Sequence, residues 1–179
     1  PYEIRIIGGL VRVGRRDAAL ELLRFFLSDR RPPEWNQWPE IAWRDRRAPA
    51  HVGDLPHTWV AAEYVLAVRS LFAYERAADR RLVVAAGLAP EWTTGPGVQV
   101  QAMPTVYGAL SFSARTLDEH TFRFDIGPGV AAGIELRPPL AGRLLGVSVN
   151  GSAHADFDAH SVVIASTPAE VVCRTTASA

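Results

Sequence analysis

The residues best suited to chemistry are concentrated in one stretch, "EWNQWPEIAWRDRRAPAHVGDLPHTW", which runs from Glu34 to Trp59 and contains four of the five tryptophans. Flat aromatic faces pack against the apolar faces of sugar rings, and amide, carboxylate and imidazole groups hydrogen-bond to sugar hydroxyls. The stretch is therefore a candidate carbohydrate site. The candidate contacts are Trp35, Asn36, Gln37, Trp38, Asp54, His57 and Trp59.

The same stretch offers carboxylates for acid–base catalysis. Hydrolysis of a glycosidic bond uses two carboxyl groups that flank the bond, about 5–10 Å apart. Glu34, Glu40, Asp45 and Asp54 are available, and their spacing in the sequence leaves their separation open.

A purely structural role is the competing interpretation of this stretch. Residues 29–56 show no clear periodicity, and a loop of that length is usually functional or disordered. Tryptophans in a long loop can also seal helix ends, with Asp54 as a helix cap and His57 bonded to a nearby carbonyl.

Other site chemistries have weaker support. His51 and His57, with Asp54 between them, lack a third ligand at helical spacing, so no metal site is predicted. The glycines of "GPGVQ" and "GPGVAAG" lie at strand turns, where they do not form a phosphate-binding loop. No cofactor is expected.

The balance of charged residues argues against two classes of partner, nucleic acids and anionic membranes. The 179 residues include 19 basic and 19 acidic side chains, a balance that gives no electrostatic footprint for nucleic acid or an anionic membrane. No apolar run is long enough to form a membrane span. The chain opens on proline in the middle of an apolar pattern, and we expect it to be a fragment of a longer protein.

Residues 1–80 predict a helical segment that includes the tryptophan-rich loop 29–56. Helices are expected over 2–13, 17–28 and about 56–76, with Asp54 placed for capping and Pro56 in the first turn. These helices are apolar over more than half of their circumference and must be covered on two sides. Either the second half of the chain covers them, or partner helices are missing.

Residues 81–179 predict an antiparallel β-sandwich. Apolar and polar residues alternate at 98–102, 122–126, 134–137 and 147–150, with Gly/Pro breaks between them. The "NG" at 150–151 is a signal for a hairpin turn. The predicted class is α+β, with N-terminal helices followed by this sandwich.

Four motifs resemble the C-terminal end of six-hairpin, (α/α)6-barrel glycosidases, most closely the rhamnosidase type and its bacterial relatives. They are "EWNQW" (34–38), "GDLPHTWVAAEYVL" (53–66), "LVVAAGLAPEW" (82–92) and "MPTVYGALSFS" (103–113). The resemblance implies that the helices are the last members of an α/α barrel whose upstream hairpins belong to the same parent chain. It also implies that the loop is one wall of a sugar pocket, in which His57 binds hydroxyls.

One departure from that pattern concerns the general base. The resemblance implies a glutamate between the two tryptophans, where this chain has Asn36 and Gln37, and amides cannot accept the proton. Glu40 is the replacement we select, with Glu34 as the alternative. The general acid is implied to lie on an earlier hairpin, so we expect the fragment to be inactive alone.

The sequence leaves two other functions open. One is a non-catalytic module that binds carbohydrate near Tyr107 or Trp92, or that supports a neighbouring domain. The other is a homo-oligomer formed through the apolar helix faces, without a ligand.

Overall fold

The computed structural model describes residues 1–45, 53–140 and 142–176. The chain divides into two compact units, a helical unit from Pro1 to Leu71 and a β unit from Phe72 to Ala179. None of the helices in these ranges has the length and hydropathy that a membrane span requires.

The helical unit contains α1 (Ile6–Arg12), α2 (Arg16–Ser28) and most of α3 (Thr58–Phe72), with short 3-10 turns at Tyr2–Arg5 and Pro33–Trp35. Gly14 joins α1 to α2 with a positive φ of 76°, a conformation that costs glycine little because it has no Cβ. The predicted helical hairpin is therefore present.

Helix α3 differs from its predicted bounds at both ends. It begins at Thr58 rather than Pro56, and the carbonyl of His57 accepts its first hydrogen bond, from the N–H of Ala61 at 3.1 Å. Asp54 therefore lies outside the capping position that was predicted for it. At the other end, residues 73–76 leave the helix, because they pair as a strand with residues 81–84.

The described residues of the β unit form ten strands in two sheets. One sheet has four strands in the order β1-β2-β6-β9, and the other has six in the order β3-β4-β5-β10-β7-β8. The strands are β1 Ala73–Arg76, β2 Arg81–Val84, β3 Val98–Thr105, β4 Gly108–Asp118, β5 Thr121–Ile126, β6 Ile134–Leu136, β7 Leu144–Val149, β8 Ser152–His154, β9 Val162–Ile164 and β10 Ala169–Thr175.

Inward-facing apolar residues of both sheets form one core. Phe122, Phe124 and Ile126 alternate with half-buried polar residues along β5 and pack with Ile134 and Leu136 of the four-stranded sheet. The predicted α+β class is confirmed, with helices followed by a β-sandwich. Only the β2–β6 pair is parallel, and the other strand pairs of the described residues are antiparallel.

The predicted "NG" turn joins β7 to β8. Asn150 and Gly151 both have positive φ, 50° and 79°, as the tight hairpin turn requires.

An ion-pair network surrounds Glu135, the central residue of β6, which is 5% exposed. Its carboxylate accepts hydrogen bonds from Arg76 at 2.5 Å and Arg137 at 2.7 Å, and Arg81 lies 3.9 Å away. Burial raises the pKa of Glu135, but the hydrogen bonds from the two arginines and their charges outweigh burial and leave the pKa below its ordinary value.

Candidate functional site

Two separate parts of the tryptophan-rich loop lie side by side. The backbone N–H of Glu40 donates to the carbonyl of Asp54 at 2.9 Å, and that of His57 donates to the carbonyl of Trp38 at 3.4 Å. The N–H of Asp54 in turn donates to Oε2 of Glu40 at 3.4 Å. These bonds join residues 38–40 to residues 54–57.

The Glu40 carboxylate occupies space that is open only because residue 53 is a glycine. A Cβ at position 53 would stand 2.2 Å from Oε2 and 2.7 Å from Cβ of Glu40, too close for any side chain without displacement. Gly53 also has a positive φ of 62°. The backbone and the carboxylate therefore both require glycine at this position.

The result is a cluster of three titratable side chains, which we call the acid–imidazole cluster: Glu40, Asp54 and His57. One ligand atom of each lies within 4.8 Å of the others, and Nδ1 of His57 is 3.9 Å from Oδ2 of Asp54. The His57 side chain is 13% exposed, whereas that of Asp54 is 85% exposed. The cluster is anchored on one side and open to solvent on the other.

Tyr2 completes the surroundings of His57. Its hydroxyl is hydrogen-bonded to Nε2 of His57 at 2.6 Å, and its ring makes edge contacts with His57 and Trp59, both at 5.5 Å between ring centroids. Desolvation, followed by the negative charge of Glu40, raises the pKa of the Tyr2 phenol, which favours the neutral hydroxyl. Sequence reasoning did not select Tyr2, because nothing in its surroundings resembles a motif.

The two tryptophans that flank the cluster have different environments. Trp59 is 62% exposed, so much of its surface is open to solvent beside Tyr2. Trp38 is 5% exposed, stacks at a tilt on Tyr64 and donates its indole N–H to the carbonyl of Phe26 at 2.9 Å. Trp38 thus packs at the end of α2, the contact expected of a structural role, and little of its surface is exposed.

The remaining predicted contacts, Trp35, Asn36 and Gln37, lie earlier in the loop. Trp35 is 57% exposed, and Gln37 is half-buried. The side-chain oxygen of Asn36 accepts a hydrogen bond from Arg30, and its backbone is left-handed with φ of 57°. The hydrogen bonds and ring contacts of the cluster described above involve none of these three residues.

The predicted residues therefore separate into two groups, and the first consists of Trp35, Asn36, Gln37 and the buried Trp38, which lie outside the cluster. The second group forms or borders the cluster. Glu40, Asp54, His57 and Trp59 come together, joined by Tyr2. His51 lies in residues 46–52, outside the described residues. One carboxylate oxygen of Glu40 lies within 4.8 Å of one of Asp54, closer than the 6.5–9.5 Å of an inverting glycosidase pair and near the roughly 5–5.5 Å of a retaining pair. Such a spacing also suits a shared occupant, such as a sugar hydroxyl or a cation.

Comparison with protein-family models gives no match, and comparison with curated protein sequences gives none either. Among solved structures, one similar chain is Ara127N-Se, a GH127 β-L-arabinofuranosidase from Geobacillus stearothermophilus T6. The similarity covers 65% of this chain and 18% of that one, with 14% identity and a TM-score of 0.36. A TM-score of this size supports no argument about the site, which therefore rests on its own geometry.

Proposed function

We propose that this chain supplies one wall of the sugar site of a carbohydrate-active enzyme, a glycoside hydrolase whose other hairpins lie upstream in a longer parent chain. Hydroxyl groups would bind to the acid–imidazole cluster, and a sugar ring would pack on the exposed indole of Trp59. Glu40 is the proposed general base.

One observation carries the proposal: the exposed indole of Trp59 contacts Tyr2, and Tyr2 is hydrogen-bonded to His57, the imidazole of a cluster that also holds two carboxylates. The Tyr2 ring contacts both His57 and Trp59, and Glu40 is fixed by Gly53 and by the Asp54 backbone. Sugar sites combine such an apolar plate with a few fixed polar groups. The motifs that resemble the glycosidase family favour the same assignment.

The contacts that we propose differ from the expected ones in two respects. Trp38 is buried, so its substitution would affect folding rather than sugar contact. Trp59 takes its place as the aromatic platform, and Tyr2 is added as the residue that orients His57.

The first experiment is a titration of the chain with a panel of pentoses, hexoses and deoxyhexoses, in which tryptophan fluorescence reports binding. We expect weak, saturable binding of at least one sugar. Trp59→Ala and His57→Ala should abolish it, because they remove the platform and a hydroxyl partner. Val106→Ala, at a residue of the β unit that is 77% exposed, is the matched surface control and should bind normally.

Catalysis is tested separately, in a longer chain that carries the upstream hairpins. Hydrolysis that is lost in Glu40→Gln and kept in Glu34→Gln would support Glu40 as the base. An active Glu40→Gln enzyme would remove that role from Glu40. Binding that survives both Trp59→Ala and His57→Ala would instead move the sugar site away from the cluster.

A second candidate function is assembly through the helices. Val65 and Leu66 on α3 are 62% and 56% exposed, and Phe25 on α2 is 55% exposed. If these residues form one contiguous patch, another helix would be a fitting cover for it. That helix belongs to the parent chain in the first proposal and to a second copy of this chain in the homo-oligomer.

A further inference from the structure

The acid–imidazole cluster has the composition of a metal-binding site. Two carboxylates and one imidazole are a common ligand set for divalent transition metals, since imidazole suits zinc, copper, iron and nickel and carboxylates also bind zinc. Within the described ranges, this is the group of histidine, cysteine and acidic side chains whose ligand atoms lie close enough together to hold a metal ion.

The distances are close to those that a metal requires. Tetrahedral Zn²⁺ with bonds of about 2.1 Å places its ligand atoms about 3.4 Å apart. Nδ1 of His57 and Oδ2 of Asp54 are 3.9 Å apart, and all three ligand atoms lie within 4.8 Å. Small rotations of the exposed Asp54 side chain and of Glu40 would close the difference. The backbone could stay in place.

The surroundings supply the support that metal ligands need. A ligating histidine normally uses its second ring nitrogen in a hydrogen bond that fixes the ring. Nε2 of His57 has such a partner in the hydroxyl of Tyr2, at 2.6 Å, and Nδ1 lies 3.9 Å from Oδ2 of Asp54. Glu40 is held against Gly53, where a side chain would occupy the position of its carboxylate.

We propose that Glu40, Asp54 and His57 bind a divalent transition-metal cation, Zn²⁺ in the first instance, and that Tyr2 positions the imidazole. The exposed Asp54 gives the cation a route from solvent and leaves a coordination position open. Binding the cation engages Glu40 as a ligand, so the metal and a free general base at Glu40 exclude each other.

The test is isothermal titration of the chelator-treated chain with ZnCl2. We expect one Zn²⁺ per chain, with binding weaker for Mn²⁺ and weakest for Mg²⁺, because the imidazole nitrogen favours zinc. Asp54→Asn and His57→Ala should each reduce the affinity at least ten-fold. Tyr2→Phe, which removes only the outer hydrogen bond, should reduce it about ten-fold. Glu34→Gln, a loop carboxylate outside the cluster, is the control and should bind as the unmodified chain does.

Folding of each variant is checked by circular dichroism, and Asp54→Asn is the variant least expected to disturb it, since the side chain is 85% exposed. A Co²⁺ complex with the absorption bands of a histidine-ligated site, absent in His57→Ala, would support the proposal independently. The absence of saturable Zn²⁺ binding would overturn it, as would unchanged affinity in folded Asp54→Asn and His57→Ala, which would place any zinc at other histidines.

This inference does not depend on the carbohydrate proposal. Sugar titrations in EDTA measure the sugar site without the metal, and zinc titrations without sugar measure the metal site alone. Zinc binding without sugar binding would support the cation inference and reject the carbohydrate proposal. Sugar binding without zinc binding would support the carbohydrate proposal and reject the cation inference.

Discussion

The two units bury their apolar residues to different extents. Of the eleven large hydrophobic residues that are exposed in the described part of the chain, eight belong to the helical unit and only three, Val106, Leu117 and Leu145, to the β unit. The β unit is nevertheless the larger of the two. Its two sheets enclose one continuous core, from β1 through β10.

This difference indicates how each unit obtains its stability. A sandwich buries both inner faces by itself, because each sheet covers the other. Helices that are apolar over most of their circumference need cover on two sides, and three helices cannot supply it to one another. The partner that we propose, either upstream hairpins or a second copy of the chain, would therefore cover the helical unit.

The largest expected effect is a loss of stability, and it distinguishes a phenylalanine of the sandwich core from one on the helical unit. Phe124→Ala empties a fully buried site of the sandwich core and should lower the free energy of unfolding by about 3–5 kcal/mol. Phe25→Ala, at a residue that is 55% exposed, should change it by about 0.5 kcal/mol or less. Chemical denaturation followed by circular dichroism measures both. A Phe25→Ala cost similar to that of Phe124→Ala would show that α2 is covered as fully as the sandwich core.

The second prediction concerns Glu135 and acid. Its folded-state pKa lies below the ordinary 4.5, so its ion pairs stabilise the fold fully above about pH 4.5, and this contribution is lost as the pH falls through the lower folded-state value. Glu135→Gln should cost about 1.5–3 kcal/mol at pH 7. It should also flatten the decrease in stability below pH 4.5, since the carboxyl no longer titrates.

Exposed Glu119 supplies the control for this prediction. Glu119→Gln should leave both the stability at pH 7 and the pH profile unchanged. An acid profile of Glu135→Gln that matches the unmodified chain would mean that other carboxyls govern acid unfolding.

The smallest expected effect on stability concerns the helix surface. Leu66→Lys should change the free energy of unfolding by about 0.5 kcal/mol or less, because the side chain is 56% exposed. It should reduce any self-association seen by light scattering. Leu145→Lys, on the β unit and 66% exposed, is the matched control and should leave association unchanged. If the two substitutions reduced self-association equally, the helical unit would have no special role in association.

Periodicity predicted the fold class correctly but missed part of the four-stranded sheet. Strand β5 alternates strictly, and its strand was predicted. Strand β2 does not alternate, because Leu82, Val83 and Val84 are all fully buried next to the parallel neighbour β6. Buried parallel strands read as continuous apolar runs. Residues 73–76 continue the apolar pattern of α3, so pairing with β2 decided their structure where local sequence could not.

The composition of the candidate site could be predicted from the sequence, but its arrangement could not. The residue types between Glu34 and Trp59 indicated polar and aromatic chemistry, and three of the predicted residues, Glu40, Asp54 and His57, have ligand atoms within 4.8 Å of one another. The pairing of Glu40 with Asp54 depends on hydrogen bonds between residues fourteen positions apart, and such bonds leave no period in the sequence. Tyr2 is further still, 55 residues from the histidine that it holds.

Phe72 has a consequence for anyone who divides this chain. It is the last residue of α3, yet its carbonyl accepts a hydrogen bond from Ala85 at 2.8 Å, and its ring stacks on Trp92, 6.2 Å between centroids. Strand β1 follows it directly. If the β unit were expressed from the residue after the helix, it would lack a side chain that packs against the sandwich core. The β unit should therefore begin at Phe72, inside the last turn of the helix.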